Sequence, residues 1–223
     1  MKYFIAIYTN KVKQYCDQQF FRALGVATRQ RDCFIKIVDN SQDKNYIKRL
    51  DDNMADWLGH DKFSISYQFV DYMPRETLFL RSVCDSVNYL RKLFITAKAE
   101  KFIIVESDVI VPPNLLELFG FVEDKADIIG GIYYRDFHNL LLFDPACVEL
   151  VEATHVLSGC TMYDKKVIKQ FHFRWDKNNT AEFPDSWIST DALAAGYRLR
   201  NYAAIKCQHI EKFDGSGRGM NDL

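Results

Sequence analysis

The chain has 223 residues, 48% hydrophobic and 26% charged, proportions that exclude a disordered tract, a collagen-like repeat and a disulfide-stapled mini-fold. At this length about 72% of the unfolded surface can be buried, enough for one compact domain or two fused halves. Twenty-nine basic and thirty acidic residues leave a net charge of −1, so no global field draws the chain to nucleic acid or an anionic membrane.

Short apolar runs alternate with segments of helical period, which predicts an α/β sheet protein. Tyr3 to Tyr8 reads as a strand buried on both faces. The few apolar residues before Asn10 and Lys11 are too short for a signal peptide, and no run approaches a membrane span, so a cytoplasmic protein is expected. Val12, Tyr15, Cys16, Phe20, Ala23 and Leu24 share one helical stripe, with Gly25 where a terminating glycine would stop the helix. Strands are expected at Phe34 to Val38 and Ser64 to Val70, and the longest helix from Glu76 to Ala99. Phe102 to Val105 follows as a buried strand, then a short helix through Leu115 to Phe119 that Pro112 and Pro113 would start. Further strands are expected at Ile128 to Tyr134, Val156 to Tyr163 and Leu199 to Cys207, with helices at about 164–171 and 185–195. The tail DGSGRGMNDL reads as flexible. Six cysteines stand singly with no CxxC pair, which predicts reduced, mostly buried thiols rather than structural zinc or disulfides.

In open α/β sheets the ligand crevice lies beyond the carboxyl ends of the strands. The polar clusters after three runs are therefore the first candidates: Tyr8, Thr9 and Asn10; Asp39, Asn40, Ser41 and Asp43; Glu106 and Asp108. If strand geometry persists past Val105, the last two carboxylates point to one side. Two hard oxygen ligands there suit Mg²⁺ or Mn²⁺ bridging a diphosphate; an acidic pair that merely opens a turn is the alternative. Gly130 and Gly131 interrupt an apolar strand, which predicts a bulge or a close approach of backbone to a ligand. Tyr133, Tyr134 and Arg135 after them form a candidate acceptor-facing wall.

The order of FIIVESDV, PP, IIGGIYYRD, LSGCTMYDKKVI, PDSWISTDALAAGY and CQHI, with DNSQD and Asn88 before them, resembles a family 2-type glycosyltransferase over nearly the whole chain. That resemblance implies a GT-A type, Rossmann-like α/β fold with a mainly parallel central sheet flanked by helices. It implies a single domain, with a nucleotide-sugar-binding half at about 1–110 and an acceptor and catalytic half at about 111–223. The implied partners are a nucleotide-diphosphate sugar and an acceptor that could be a glycan, a lipid-linked sugar, a protein or a modified nucleic acid base.

The family's DxD motif falls on Glu106, Ser107 and Asp108, glutamate replacing the first aspartate. By the same resemblance Asp39 touches the base or ribose with Thr9 near it. Gly159 lies against the donor sugar, His209 adds a late metal or diphosphate contact, and Trp187 joins the acceptor wall. Asp185, eleven residues before Gly196, falls at the catalytic aspartate, with Pro184 where an acid commonly precedes it. An inverting transfer needs such a carboxylate to take the acceptor proton while a cation stabilises the departing diphosphate. As an alternative, Asp185 caps its helix. The rival functions are nucleotidyl transfer, disfavoured by the lack of a glycine-rich phosphate loop with a basic residue after the first strand, and a binding module without turnover.

Overall fold

The computed structural model describes residues 1–41, 43–67, 75–134, 148–178 and 183–210, with backbone alone at 75–79 and at 133–134. One mixed sheet organises the chain. Its strands are β1 (Tyr3–Thr9), β2 (Cys33–Asp39), β3 (Phe63–Tyr67), β4 (Lys101–Val105), β5 (Val109–Ile110), β6 (Ile128–Tyr134), β7 (Leu150–Glu152), β8 (Cys160–Asp164) and β9 (Leu199–His209). They lie in the order β3-β2-β1-β4-β8-β6-β9-β5, and β7 pairs with β9 off this path. β1, β2, β3 and β4 are mutually parallel, β8 runs antiparallel to both β4 and β6, and β9 is parallel to β6.

Among the described residues six helices cover the two faces: α1 (Asp17–Thr28), α2 (Lys44–Leu58), α3 (Arg75–Thr96), α4 (Leu115–Val122), α5 (Lys165–Gln170) and α6 (Pro184–Ala194). The near-continuous apolar character of β1 follows from this double cover. Tyr3, Ile5 and Ile7 pack with α1, α2 and α4, whereas Phe4, Ala6 and Tyr8 pack with α3, α5 and α6.

The expected elements are present, with several corrections. Helix α2 has no counterpart in the sequence reading. Its buried residues, Tyr46, Leu50, Met54 and Leu58, recur only every fourth position among charges. Its ends nevertheless carry strong signals: Asp43 accepts from the Asn45 and Tyr46 amides, and Gly59 closes the helix in the left-handed region at φ 68°. Gly25 does not end the first helix, which runs on to Thr28. A Cβ there would lie 2.2 Å from the Leu58 carbonyl oxygen, so the glycine lets α1 and α2 touch backbone to backbone. Residues 11–13 form a separate 3-10 turn before α1.

Strand β8 begins at Cys160 rather than Val156, and β3 is assigned to Phe63–Tyr67, residues 68–70 of the expected strand lying outside the description. Pro112 and Pro113 precede the Asn114 cap of α4 rather than occupying its first turn. Register slips between Gly130 and Ile132, so the expected bulge is present. Its glycines are crowded by Val156, Asn201 and Ile205 of the protein itself. The five described cysteines are buried. Among the described residues, no helix is long and apolar enough to cross a membrane.

Candidate functional site

The carboxyl ends of β1, β2 and β4 meet on one rim of the sheet, and β8, running the other way, brings the residues before it to the same rim. Beyond Val105 the strand does not continue: the Val109 amide bonds back to the Glu106 carbonyl and closes a turn. The alternation that would aim Glu106 and Asp108 the same way is lost, and the two carboxylates have separate partners.

Glu106 Oε1 accepts the Tyr8 hydroxyl at 2.7 Å and the Ser158 hydroxyl at 2.6 Å, while its amide bonds the Gly159 carbonyl at 2.9 Å. It thus fastens the exits of β1 and β4 to the entry of β8. Burial first, then the Glu106 charge and that hydrogen bond, drive the Tyr8 pKa well above the ordinary phenol value. Tyr8 is therefore a fixed donor.

Asp108 is 5% exposed. Its Oδ2 meets the Lys13 ammonium at 2.8 Å and His209 Nε2 at 3.5 Å. Both neighbours are delivered by backbone geometry. Asn10 accepts from the Val12 amide and caps the 3-10 turn that ends at Lys13. His209 pairs with Val109 across β9 and β5, and the next amide, Ile210, bonds the Asp108 carbonyl at 2.8 Å. Asp108 Oδ1, His209 Nδ1 and Ser107 Oγ are all buried without a hydrogen-bond partner. Burial works against the Lys13 charge, but the Asp108 and Glu106 carboxylates outweigh it and hold its pKa above the ordinary lysine value.

Asp185 is the second residue of α6, and Phe183, not Asp185, is the N-cap. Its Oδ2 accepts the Ser158 amide and its Oδ1 the Ser186 amide, each at 2.9 Å. Together with the Val156 amide on Ser189 Oγ, this pins the 156–159 loop to α6. Burial raises the Asp185 pKa above the ordinary carboxylate value; the Ser158 amide opposes that, and the Glu106 charge reinforces it. Asn88, singled out in the long helix, bonds the Phe173 backbone in both directions and is a packing residue.

Asp108 and His209 come together, and Asp185 and Glu106 share the 158 loop. The expected grouping of Glu106 with Asp108 and His209 as three ligands is not formed: among the described residues no three His, Cys, Asp or Glu side chains could jointly hold a metal ion. Thr9 and Asp39 lie at the β1 and β2 exits, but Thr9 Oγ1 faces the Tyr46 hydroxyl at 3.0 Å and both Asp39 oxygens are taken by Ser41. Burial raises the Asp39 pKa against those two Ser41 bonds. One face of Trp187 is covered by the Arg174 guanidinium, 4.0 Å from the ring centre and held by Asp191. Tyr133 and Tyr134 end β6, with side chains outside the description, as are Arg135 and the 214–223 tail.

The reading of the sequence missed Lys13. Its signal was available, since Lys11 and Lys13 fall within four residues of the β1 exit, and a basic residue does stand between the first strand and its helix.

A deep antiparallel strand inside a parallel sheet, with acidic groups at the β4 exit, can be compared with solved structures. S. aureus TarS 1–349 in complex with UDP-GlcNAc superposes with a TM-score of 0.65 at 14% identity, over 98% of this chain and 61% of that one. The mannosyltransferase PcManGT from Pyrobaculum calidifontis, in complex with GDP-Man and Mn²⁺, gives 0.68 at 13% identity, over 96% and 58%. The fold is that of the GT-A glycosyltransferases. This chain spans about 60% of the length of those proteins. No protein-family model and no curated protein matches the sequence.

Proposed function

We propose that the chain transfers a sugar from a nucleotide-diphosphate sugar to an acceptor hydroxyl, with inversion, using a divalent cation held by Asp108 and His209 and with Asp185 as the base. The observation that carries this reading is Asp108 Oδ1, a buried carboxylate oxygen with no partner, beside His209 at the strand exits of a GT-A sheet. Asp108 and His209 would hold the ion, the carboxylate suiting Mn²⁺ or Mg²⁺ and the imidazole favouring Mn²⁺. When bound, the cation supplies positive charge to the departing diphosphate.

The chain's own groups do the rest. Glu106, engaged by Tyr8 and Ser158, holds the β4 turn and the 158 loop in register. The raised pKa of Asp185 makes its carboxylate a stronger base than an exposed aspartate. Ser158, tied to both Glu106 and Asp185, fixes the spacing between the donor side and the acceptor side. The nucleotide-sugar ligands of the structural neighbours support the same substrate class.

Melting temperature measured with UDP or GDP, with and without MnCl₂, tests the reading. A ligand that binds only the folded chain at a hundred times its Kd adds about 2.7 kcal/mol. D108A is expected to abolish the metal-dependent part of the shift, and a shift that survives it refutes the site. A donor panel then identifies the reaction: released nucleoside diphosphate marks sugar transfer, released pyrophosphate marks nucleotidyl transfer, and binding without either product marks a module without turnover.

A further inference from the structure

The ammonium of Lys13 pairs with the same carboxylate whose free oxygen, Oδ1, is offered to the cation. It lies 2.8 Å from Asp108 Oδ2, the oxygen that His209 Nε2 also approaches. A divalent ion such as Mg²⁺ bonded to this carboxylate would sit about 2.0–2.1 Å from it, and two positive charges on one buried carboxylate repel strongly. The two cations therefore compete for Asp108.

We propose that Lys13 is a diphosphate-binding residue that neutralises Asp108 in the donor-free protein and passes to the donor's phosphates when the divalent ion takes Asp108. The proposal rests on the glycosyltransferase reading above. Three features of the rim favour the phosphates as its second partner. Lys13 is held by a capped turn at the β1 exit, so its base stays in place while its side chain moves. Asp43, the N-cap of α2, is already paired with Lys11 at 2.5 Å. Glu106 Oε1 already accepts two hydroxyls. An ammonium leaving Asp108 can pair with a diphosphate bound at the strand exits, whose oxygens suit its three N–H donors.

The exchange predicts opposite effects of one substitution on two ligands. Titration calorimetry with MnCl₂ alone, and with UDP or GDP in the presence of MnCl₂, is compared for the wild type, K13M and K13R, with circular dichroism confirming the fold. Losing a charge-assisted hydrogen bond is expected to weaken nucleoside diphosphate binding to K13M by about tenfold or more. The same variant should bind Mn²⁺ alone more tightly than the wild type, because nothing occupies Asp108. K13R should keep nucleotide affinity close to the wild-type value. If K13M fails to fold, K13A, which removes the ammonium and offers Asp108 no side-chain donor, provides the same readout. Unchanged nucleotide affinity in the folded neutral variant overturns the role of Lys13, as does unchanged or weakened Mn²⁺ binding. A wild-type chain that binds neither UDP nor GDP instead sinks the donor reading itself, so the two failures are distinguishable.

Discussion

Asp185→Asn separates the loop clamp that geometry gives this residue from the base role proposed for it. The carboxylate receives two backbone N–H groups, one on each oxygen, at 2.9 Å. An asparagine offers one carbonyl oxygen and one NH₂, so one of the two amides loses its acceptor and faces a donor. The lost bond is of the kind made to a charged group, so the structural cost is about 1.5–3 kcal/mol. For a chain of this size that lowers Tm by roughly 3–12 °C.

The chemical cost is separate: without a base the turnover number should fall by about 10²–10⁴-fold, while UDP or GDP affinity stays near the wild-type value. Because burial raises the Asp185 pKa, wild-type kcat/KM should fall with acid through a limb above the usual aspartate value of about 3.9, as the base takes up a proton. Released nucleoside diphosphate, followed by steady-state kinetics over a pH series, measures both quantities. A folded D185N protein with wild-type turnover, whatever its Tm, would refute the base assignment and leave Asp185 as a loop clamp.

Other expectations concern the supports of the rim. Gly25→Ala forces a methyl to within 2.2 Å of the Leu58 carbonyl, and overpacking of that kind costs about 1–3 kcal/mol against about 1 kcal/mol of helix propensity gained. Urea unfolding should show a net loss, and a stabilised G25A would mean that α1 and α2 are not in backbone contact. Tyr8→Phe removes one of the two hydroxyls on Glu106 and should cost about 1.5–3 kcal/mol by the same assay; an unchanged midpoint would show that Glu106 does not depend on it.

Asp17, fully buried between Arg49 and Tyr46, has its pKa pushed up to about 6 from 3.8 by burial, which outweighs Arg49. The folded state therefore binds a proton more tightly than the unfolded chain does. Asp17 thus adds stability as pH falls from above 6 to below 4, up to roughly 3 kcal/mol. The stability difference between wild type and D17N should rise over that window, and a flat or falling difference would contradict the assignment.

Most of the sheet was readable because strands buried on both faces are near-continuous apolar runs, and β1, β2, β4 and β6 all show one. Helix α2 escaped because its buried stripe is a single residue wide, so charged residues dominate any window over it. Strand direction was not encoded locally: nothing within Cys160–Asp164 announces that it runs against β4, since the reversal comes from how the chain returns to the sheet. At the site, Asp108 was visible as an acid just beyond an apolar run, whereas Asp185, and in large part His209, came from the family resemblance. The separation of Glu106 from Asp108 depends on a turn whose hydrogen bond is set by the tertiary fold. Lys13 was overlooked because a lysine in a short turn carries no periodic signal, and its importance comes from an acid 95 positions downstream.

The position of β9 bears on how the protein matures. This strand is the latest in sequence among the described residues, yet it lies within the sheet between β6 and β5, and it delivers His209 to Asp108. A nascent polypeptide halted before that stretch has left the ribosome with the first four parallel strands made but with the cradle open on one side. On the proposed reading nucleotide capture waits for β9, and a nucleotide-bead pull-down on translation products stalled before and after this strand would separate the two.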